Sequence, residues 1–222
     1  MLFRSRWITA RYEDRLASLL AADDAIGRVL GVLERTGQLD NTYVIFWSDN
    51  GYFLGEHRRM GKVWLYEEAV KVPMIIRGPG IPQGATRTQI AGNIDLAPTI
   101  LDLAGVDPIR PPDGVSLLPF IADPRYGADR DILLENHGSQ GVRTPRYAYI
   151  EHFRNDDATP DAYELYDLQT DPYELDNLIG PDTTEPRTDH PTRRDEIAAL
   201  EKQLADRLDA LRDCQAQECQ AQ

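Results

Sequence analysis

The sequence predicts an α/β domain over residues 1–125 and a smaller α+β part over 126–222, and three observations carry that reading. A helical apolar pattern over residues 10–35 leads through a short connection into YVIFWS (43–48), an apolar run without alternation. A second such run, VPMIIR, follows a polar loop and a short helical stretch, the alternation expected of an α/β sheet. Beyond residue 125 the chain breaks into short apolar segments separated by turn residues, the texture of an antiparallel sheet.

Each element has its own cause. Leu16, Leu19, Leu20, Ile26, Val29, Leu30 and Leu33 recur near helical spacing, and Gly37 lies just past the expected end, where a left-handed terminating residue is common. LDNT then turns the chain into YVIFWS, whose lack of alternation predicts a parallel strand covered on both faces. A polar loop runs from Gly51 to Lys62, a helical stretch surrounds WLYEEA, and VPMIIR ends in the turn residues GPGIPQG. DLAPTILDLA (95–104) reads as a helix: Asp95 can cap it, Pro98 falls in the tolerant first turn and Gly105 stops it. ILLENH, VRTPRYAYIEHF and AYELYDL predict antiparallel strands, DLQTDPYELDNL predicts turns, and 180–192 reads as an exposed linker. Ile197, Leu200, Leu204, Leu208 and Leu211 form one stripe on a closing helix.

Charge and composition exclude some functions. The 222 residues carry 37 acidic against 24 basic side chains, a formal charge of −13. General binding to a nucleic-acid backbone needs clustered Lys and Arg, and this balance argues against it. No stretch approaches the roughly 18 apolar residues of a membrane span. The opening MLFRSRWITARYEDR has no apolar core of a signal peptide and reads like the middle of a protein. Cys214 and Cys219, in CQAQEC, leave two readings open: a small disulfide loop, or a reduced exposed pair. Neither oligomeric state nor compartment is legible.

The end of the YVIFWS run carries the chemistry. Asp49 and Asn50 offer a carboxylate and an amide carbonyl beyond the carboxyl end of a strand, where α/β sheets collect ligands. Such hard oxygens suit calcium or magnesium better than zinc, and Gly51 permits a sharp turn beside an ion. Asp, Asn and Gly also dominate ordinary turns, and on these three residues alone an ordinary turn is the better reading. Lys62 alone is a solvated surface lysine. His57, close to this loop, invites an acid or base role.

The wider pattern decides between these. NTYVIFWSDNGYFLGEH, GKVWLYEEAVKVPMIIRGPGIP, NIDLAPTILDLAG, DGVSLLPF and ELYDLQTDPYELDNL follow one another in an order that strongly resembles the second half of the type I sulfatase catalytic domain. The likeness is greatest to N-acetylglucosamine-6-sulfatase-like members, and it runs from about Tyr12 into the closing helix. It implies an alkaline-phosphatase-like α/β sheet with flanking helices, truncated at its N-terminal side, then a small antiparallel sheet and closing helix. It also implies that Asp49 and Asn50 bind an active-site calcium, that Asp49 sits near the nucleophile, and that Lys62 contacts the sulfate of a sulfated small molecule or sugar. The metal would polarise the sulfate oxygens and Lys62 would stabilise growing charge. The family's catalytic histidines match positions upstream of this sequence, so the resemblance makes His57 a loop-ordering or substrate-side residue. Intact relatives of this kind are secreted or periplasmic.

Two expected parts do not match. The family's nucleophile is a formylglycine made from the first residue of a C/S-x-P/A-x-R motif, its hydrated aldehyde supplying the attacking oxygen. Cys214 and Cys219 are each followed by QAQ, and Ser139 in SQGVR has Gly141 where proline or alanine belongs. The family's paired aspartates are also without counterparts, and Trp47 stands where threonine is usual. The expectation is therefore the C-terminal part of a sulfuric ester hydrolase, inactive by itself. The alternatives are a remnant without catalysis and a phosphonate or phosphodiester hydrolase of the same superfamily. Asn50 speaks against the superfamily's di-zinc members, which use histidine and carboxylate clusters.

Overall fold

The computed structural model describes residues 2–154, 159–179 and 193–213. The 180–192 segment, Cys214 and Cys219 thus lie outside the described residues. The chain packs as two compact units, Met1–Lys62 with Glu68–Gln83, and Val63–Glu67 with Gly84–Gln222.

The first unit opens with α1, Leu2–Arg35, longer at its start than the apolar spacing predicts. It stops at Gly37, whose φ of 67° lies in the left-handed region, and the Gln38 N–H donates back to the Leu33 carbonyl at 2.8 Å. A turn of 3-10 helix at Leu39–Asn41 leads into β1, Val44–Phe46. Then come β2 (Phe53–Leu54), a 3-10 turn at Glu56–Arg58, β3 (Met60–Gly61), α2 (Glu67–Val70) and β4 (Ile75–Arg77). β2 and β3 form a small antiparallel hairpin.

β1 corrects one expectation. It pairs with β4 antiparallel, in the register Val44↔Arg77, Ile45↔Ile76, Phe46↔Ile75. It is also not covered on both faces, since Phe46 is 39% and its partner Ile75 63% exposed. An unbroken apolar run reports a demand for cover, but it says nothing about the direction of the neighbouring strand.

In the second unit a 3-10 turn at Asn93–Asp95 enters α3, Leu96–Ala104, which ends at left-handed Gly105 as expected. Asp95 is fully buried but does not cap α3 with its side chain. Its carboxylate instead accepts from the backbone N–H groups of Gly92 (2.7 Å) and Val115 (2.9 Å), and from Arg130 at 2.6 and 2.9 Å. A buried carboxylate needs a cation and several donors, and that requirement outranks the cap. After α4, Leu118–Ala122, come β5 (Ile132–Asn136), β6 (Ser139–Arg143), β7 (Tyr147–His152) and β8 (Ala162–Asp167). These form one antiparallel sheet in sequential order.

α5, Arg194–Asp213, closes the chain over this sheet. Ile197, Leu204 and Leu208 from its stripe pack with Val142, Tyr149, Leu165, Leu178 and Ile179, and Leu200 and Leu211 lie at the edge of the cluster. Burying each large apolar side chain stabilises by about 1.5–3 kcal/mol, which fixes the helix on the sheet. Two ion pairs set its rotation: Arg207 with Asp131 at 2.6 Å, and Arg212 with Glu151 at 2.6 Å. Among the described residues no helix is long and apolar enough to cross a membrane.

Candidate functional site

The backbone beyond β1 forms a tight loop built from its own polar groups. The Ser48 hydroxyl donates to the Asn50 carbonyl at 3.0 Å, and the Asn50 N–H donates to Asp49 Oδ1 at 2.9 Å. Asn50 Nδ2 donates to the Gly51 carbonyl at 2.7 Å. That bond settles the orientation of the amide, so Asn50 Oδ1 faces away from the loop.

Lys62 arrives at the same place from the other side of the β2–β3 hairpin. Its ammonium donates to Asn50 Oδ1 at 3.0 Å and lies 3.8 Å from Asp49 Oδ2. The fold thus brings Asp49, Asn50 and Lys62 together, although 12 positions separate Asn50 from Lys62. The cluster is open to solvent, with the Lys62 and Asp49 side chains 55% and 80% exposed. Two hard oxygens, one anionic, already hold one cation here.

Gly51 serves this loop for a reason other than a sharp turn. Its φ lies outside the left-handed region, but a Cβ at this position would sit 2.0 Å from the Glu68 carbonyl oxygen. The Gly51 N–H also donates to the Ala69 carbonyl at 2.7 Å. The end of β1 is thus pressed directly onto the backbone of α2, and only a residue without a side chain allows the approach.

His57 has partners of its own beside the cluster. Its Nε2 lies 3.4 Å from Glu68 Oε2, and its ring meets Phe53 edge-on at 6.1 Å. The backbone at His57 and Arg58 has φ of 49° and 57°, a left-handed bend unusual for non-glycine residues. Ser48, Glu68 and Ala69 support the loop and were not singled out by sequence reasoning. Ser48 adjoins the motif and is a weak signal, whereas Glu68 and Ala69 act through packing and backbone atoms that no residue pattern reveals.

A groove of about 400 Å³ opens between α1 and this hairpin, lined by Trp7, Arg11, Asp14, Arg15 and Tyr52 among others. The Arg15 guanidinium stacks over the Tyr52 ring at 5.5 Å and Arg11 over Trp7 at 5.2 Å. Cation and aromatic faces are presented together.

Comparison with known proteins agrees with this architecture. Residues 4–106 match the sulfatase family. An N-acetylglucosamine-6-O-sulfatase of Bacteroides thetaiotaomicron is 40% identical over 192 residues, which cover 78% of this chain and 33% of that protein. A protein solved in complex with its substrate D-glucosamine-2-N,6-O-disulfate superimposes with a TM-score of 0.71 at 32% identity, over 89% of this chain and 40% of the other. The phosphonate monoester hydrolase of Agrobacterium radiobacter does so with a TM-score of 0.63 at 26% identity, over 86% and 38%. The fold is therefore part of the alkaline-phosphatase-like α/β architecture that sulfatases and phosphonate hydrolases share. Over the part these matches cover, the chain belongs to the type I sulfatase family. It spans about a third of the length of the Bacteroides relative.

Proposed function

We propose that the chain is the C-terminal part of a calcium-dependent sulfuric ester hydrolase, in which Asp49 and Asn50 contribute oxygens to the cation and Lys62 meets the sulfate. One observation carries this reading: Asn50 Oδ1 and Asp49 Oδ2 converge on the Lys62 ammonium at 3.0 and 3.8 Å. The donor set fits a hard cation, because both atoms are oxygens and one is charged. When bound, calcium supplies Lewis-acid polarisation of the sulfate oxygens. Asn50 presents its oxygen because its amide nitrogen is committed to Gly51. Lys62 pairs with the anionic ester, its charge available once a cation competes for the two oxygens. The pairing of His57 with Glu68 supports a loop-ordering role for that histidine.

The nucleophile is proposed to come from outside these residues, since C/S-x-P/A-x-R does not occur in the 222. The purified chain is therefore expected to leave an aryl sulfate intact, and measurable hydrolysis refutes this. Two side-chain oxygens fall well short of the roughly six to eight that calcium prefers, so calcium binding is expected to be weak. Calorimetry with Asp49→Ala checks it: loss of the weak binding supports the site, and unchanged binding removes it. Lys62→Ala is expected to tighten calcium binding by about five- to thirtyfold, the effect of removing about 1–2 kcal/mol of like-charge competition.

A sulfated sugar is the substrate class proposed. The glucosamine disulfate complex of a structural relative supports it, and so do the arginines and aromatic rings lining the groove beside Tyr52. A second reading, phosphonate or phosphodiester hydrolysis, is favoured by the likeness to the phosphonate monoester hydrolase. Comparing a sulfate ester with the matching phosphate ester on the reconstituted enzyme decides between them. A third, a remnant without catalysis, is supported if no reconstitution restores turnover.

A further inference from the structure

The groove beside Tyr52 lies wholly within the first unit, and its charge runs against that of the chain. The protein carries a formal charge of −13, yet here two guanidiniums, Arg11 and Arg15, stand one turn apart on α1. Among the described residues neither forms an ion pair; each lies over an aromatic ring instead, Arg11 at Trp7 and Arg15 at Tyr52. Like charges four positions apart on a helix repel. An anion placed between them removes that repulsion.

The frame around these charges suits one class of ligand. Tyr52, Leu54 and Met60 line the hairpin side, and Leu54 pairs with Met60 across the two strands. α1 closes on the hairpin at Gly55, where a Cβ would lie 3.3 Å from Ile8 Cδ1. A guanidinium lying over a ring keeps its edge N–H donors for a sulfate or carboxylate. Asp14 also lines the groove; its carboxylate accepts from hydroxyls and turns an anion toward the arginines. Anion donors, a hydroxyl acceptor and apolar or aromatic surface together match a sugar ring that carries an anionic group, and about 400 Å³ is the size of a small-ligand pocket. The groove also adjoins the Asp49, Asn50 and Lys62 cluster. Tyr52 follows Asn50 by two positions and Met60 precedes Lys62 by two, and two residues of extended chain span about 7 Å.

We propose that this groove is a subsite for a second anionic group on the sugar, with Arg11 and Arg15 taking that group and Tyr52, Leu54 and Met60 taking the ring. The proposal deepens, and rests on, the reading of Lys62 as the residue that meets the first sulfate. It makes Arg11, Arg15 and Tyr52 specificity-determining: a sugar with one anionic group engages Lys62 alone, and a sugar with two engages both places.

The test uses the full chain, labelled for NMR and titrated with three probes: N-acetylglucosamine 6-sulfate, which has one anionic group, N-sulfoglucosamine 6-sulfate, which has two, and inorganic sulfate. The expected result is a Kd for the doubly sulfated sugar at least fivefold lower than for the singly sulfated one, with the Arg11 and Arg15 side-chain and Tyr52 ring signals responding. Arg11→Gln combined with Arg15→Gln is expected to bring the two sugars within twofold of each other. If that double variant fails to fold, Tyr52→Leu decides, with an expected loss of at least threefold for the doubly sulfated sugar. A ratio below fivefold in the wild type, or arginine signals that stay silent, overturns the proposal. So does a response to inorganic sulfate as strong as that to the doubly sulfated sugar, which marks plain anion attraction without a sugar site. If the groove responds and Lys62 does not, the reading of Lys62 fails and the subsite stands. If Lys62 alone responds, the subsite fails and the reading of Lys62 stands.

Discussion

Asp167 and Glu201 are buried carboxylates that behave in opposite ways. Asp167, 4% exposed, accepts from Arg146 Nε at 3.0 Å and Nη2 at 2.7 Å. The Arg146 guanidinium holds its carboxyl below the usual range, against the opposing effect of burial. The stability gained is present above the ordinary carboxylate pKa and is lost as pH falls through the lowered folded value. Asp167→Asn is expected to cost about 2–3 kcal/mol at pH 7, and the deficit should shrink in strong acid; denaturant midpoints at both pH values check it. Glu201, 7% exposed on α5, is pushed up by burial. Its folded form binds the proton more tightly than the unfolded chain, so stability is fully present below the ordinary glutamate pKa and falls as pH rises toward the raised value. Glu201→Gln should therefore stabilise at pH 8 by on the order of 1 kcal/mol and be neutral at pH 4. A gain at pH 4 equal to that at pH 8 refutes the sign.

At the scale of elements, the contact between the β1 end and α2 governs the candidate site. Gly51→Ala places a Cβ 2.0 Å from the Glu68 carbonyl oxygen, against backbone that cannot swing aside. The expected cost is about 1–3 kcal/mol, with loosening of the Asn50–Lys62 bond read as faster amide exchange at Asn50 and Gly51. An unchanged denaturation midpoint would mean that α2 does not press on this loop. Element by element, legibility followed locality. The α1 and α3 ends at Gly37 and Gly105 were legible because a left-handed terminus is a property of one residue and its neighbours. The pairing of β1 with β4 was not, because strand direction depends on residues some thirty positions apart in sequence. The capping expectation for Asp95 failed for the same reason: Arg130 and Val115 compete for its carboxylate from distant positions.

For the whole molecule, α1 contributes many of the large apolar side chains that the described residues expose. Leu16, Leu19, Leu20, Val29 and Val32 are 46%, 58%, 70%, 58% and 49% exposed. Large apolar side chains left exposed in this number drive association, so the purified chain is expected to self-associate at micromolar concentration. Replacing Leu19 and Leu20 with glutamine should return it toward a monomer in sedimentation velocity. A monodisperse wild-type chain would refute the expectation.

The amino-acid sequence by itself marked the candidate residues of the proposed site, because the SDNG loop and the GK before YEE are local patterns whose residue types limit what they can hold. It also determined the closing helix, since a stripe at helical spacing needs only one face to bury. Tertiary structure alone decided that Lys62 reaches Asn50 and that Gly51 abuts the backbone of Glu68. It alone joined Glu67 to Arg143. These are meetings of atoms remote in sequence, and their geometry is set by packing rather than by the preferences of any one residue.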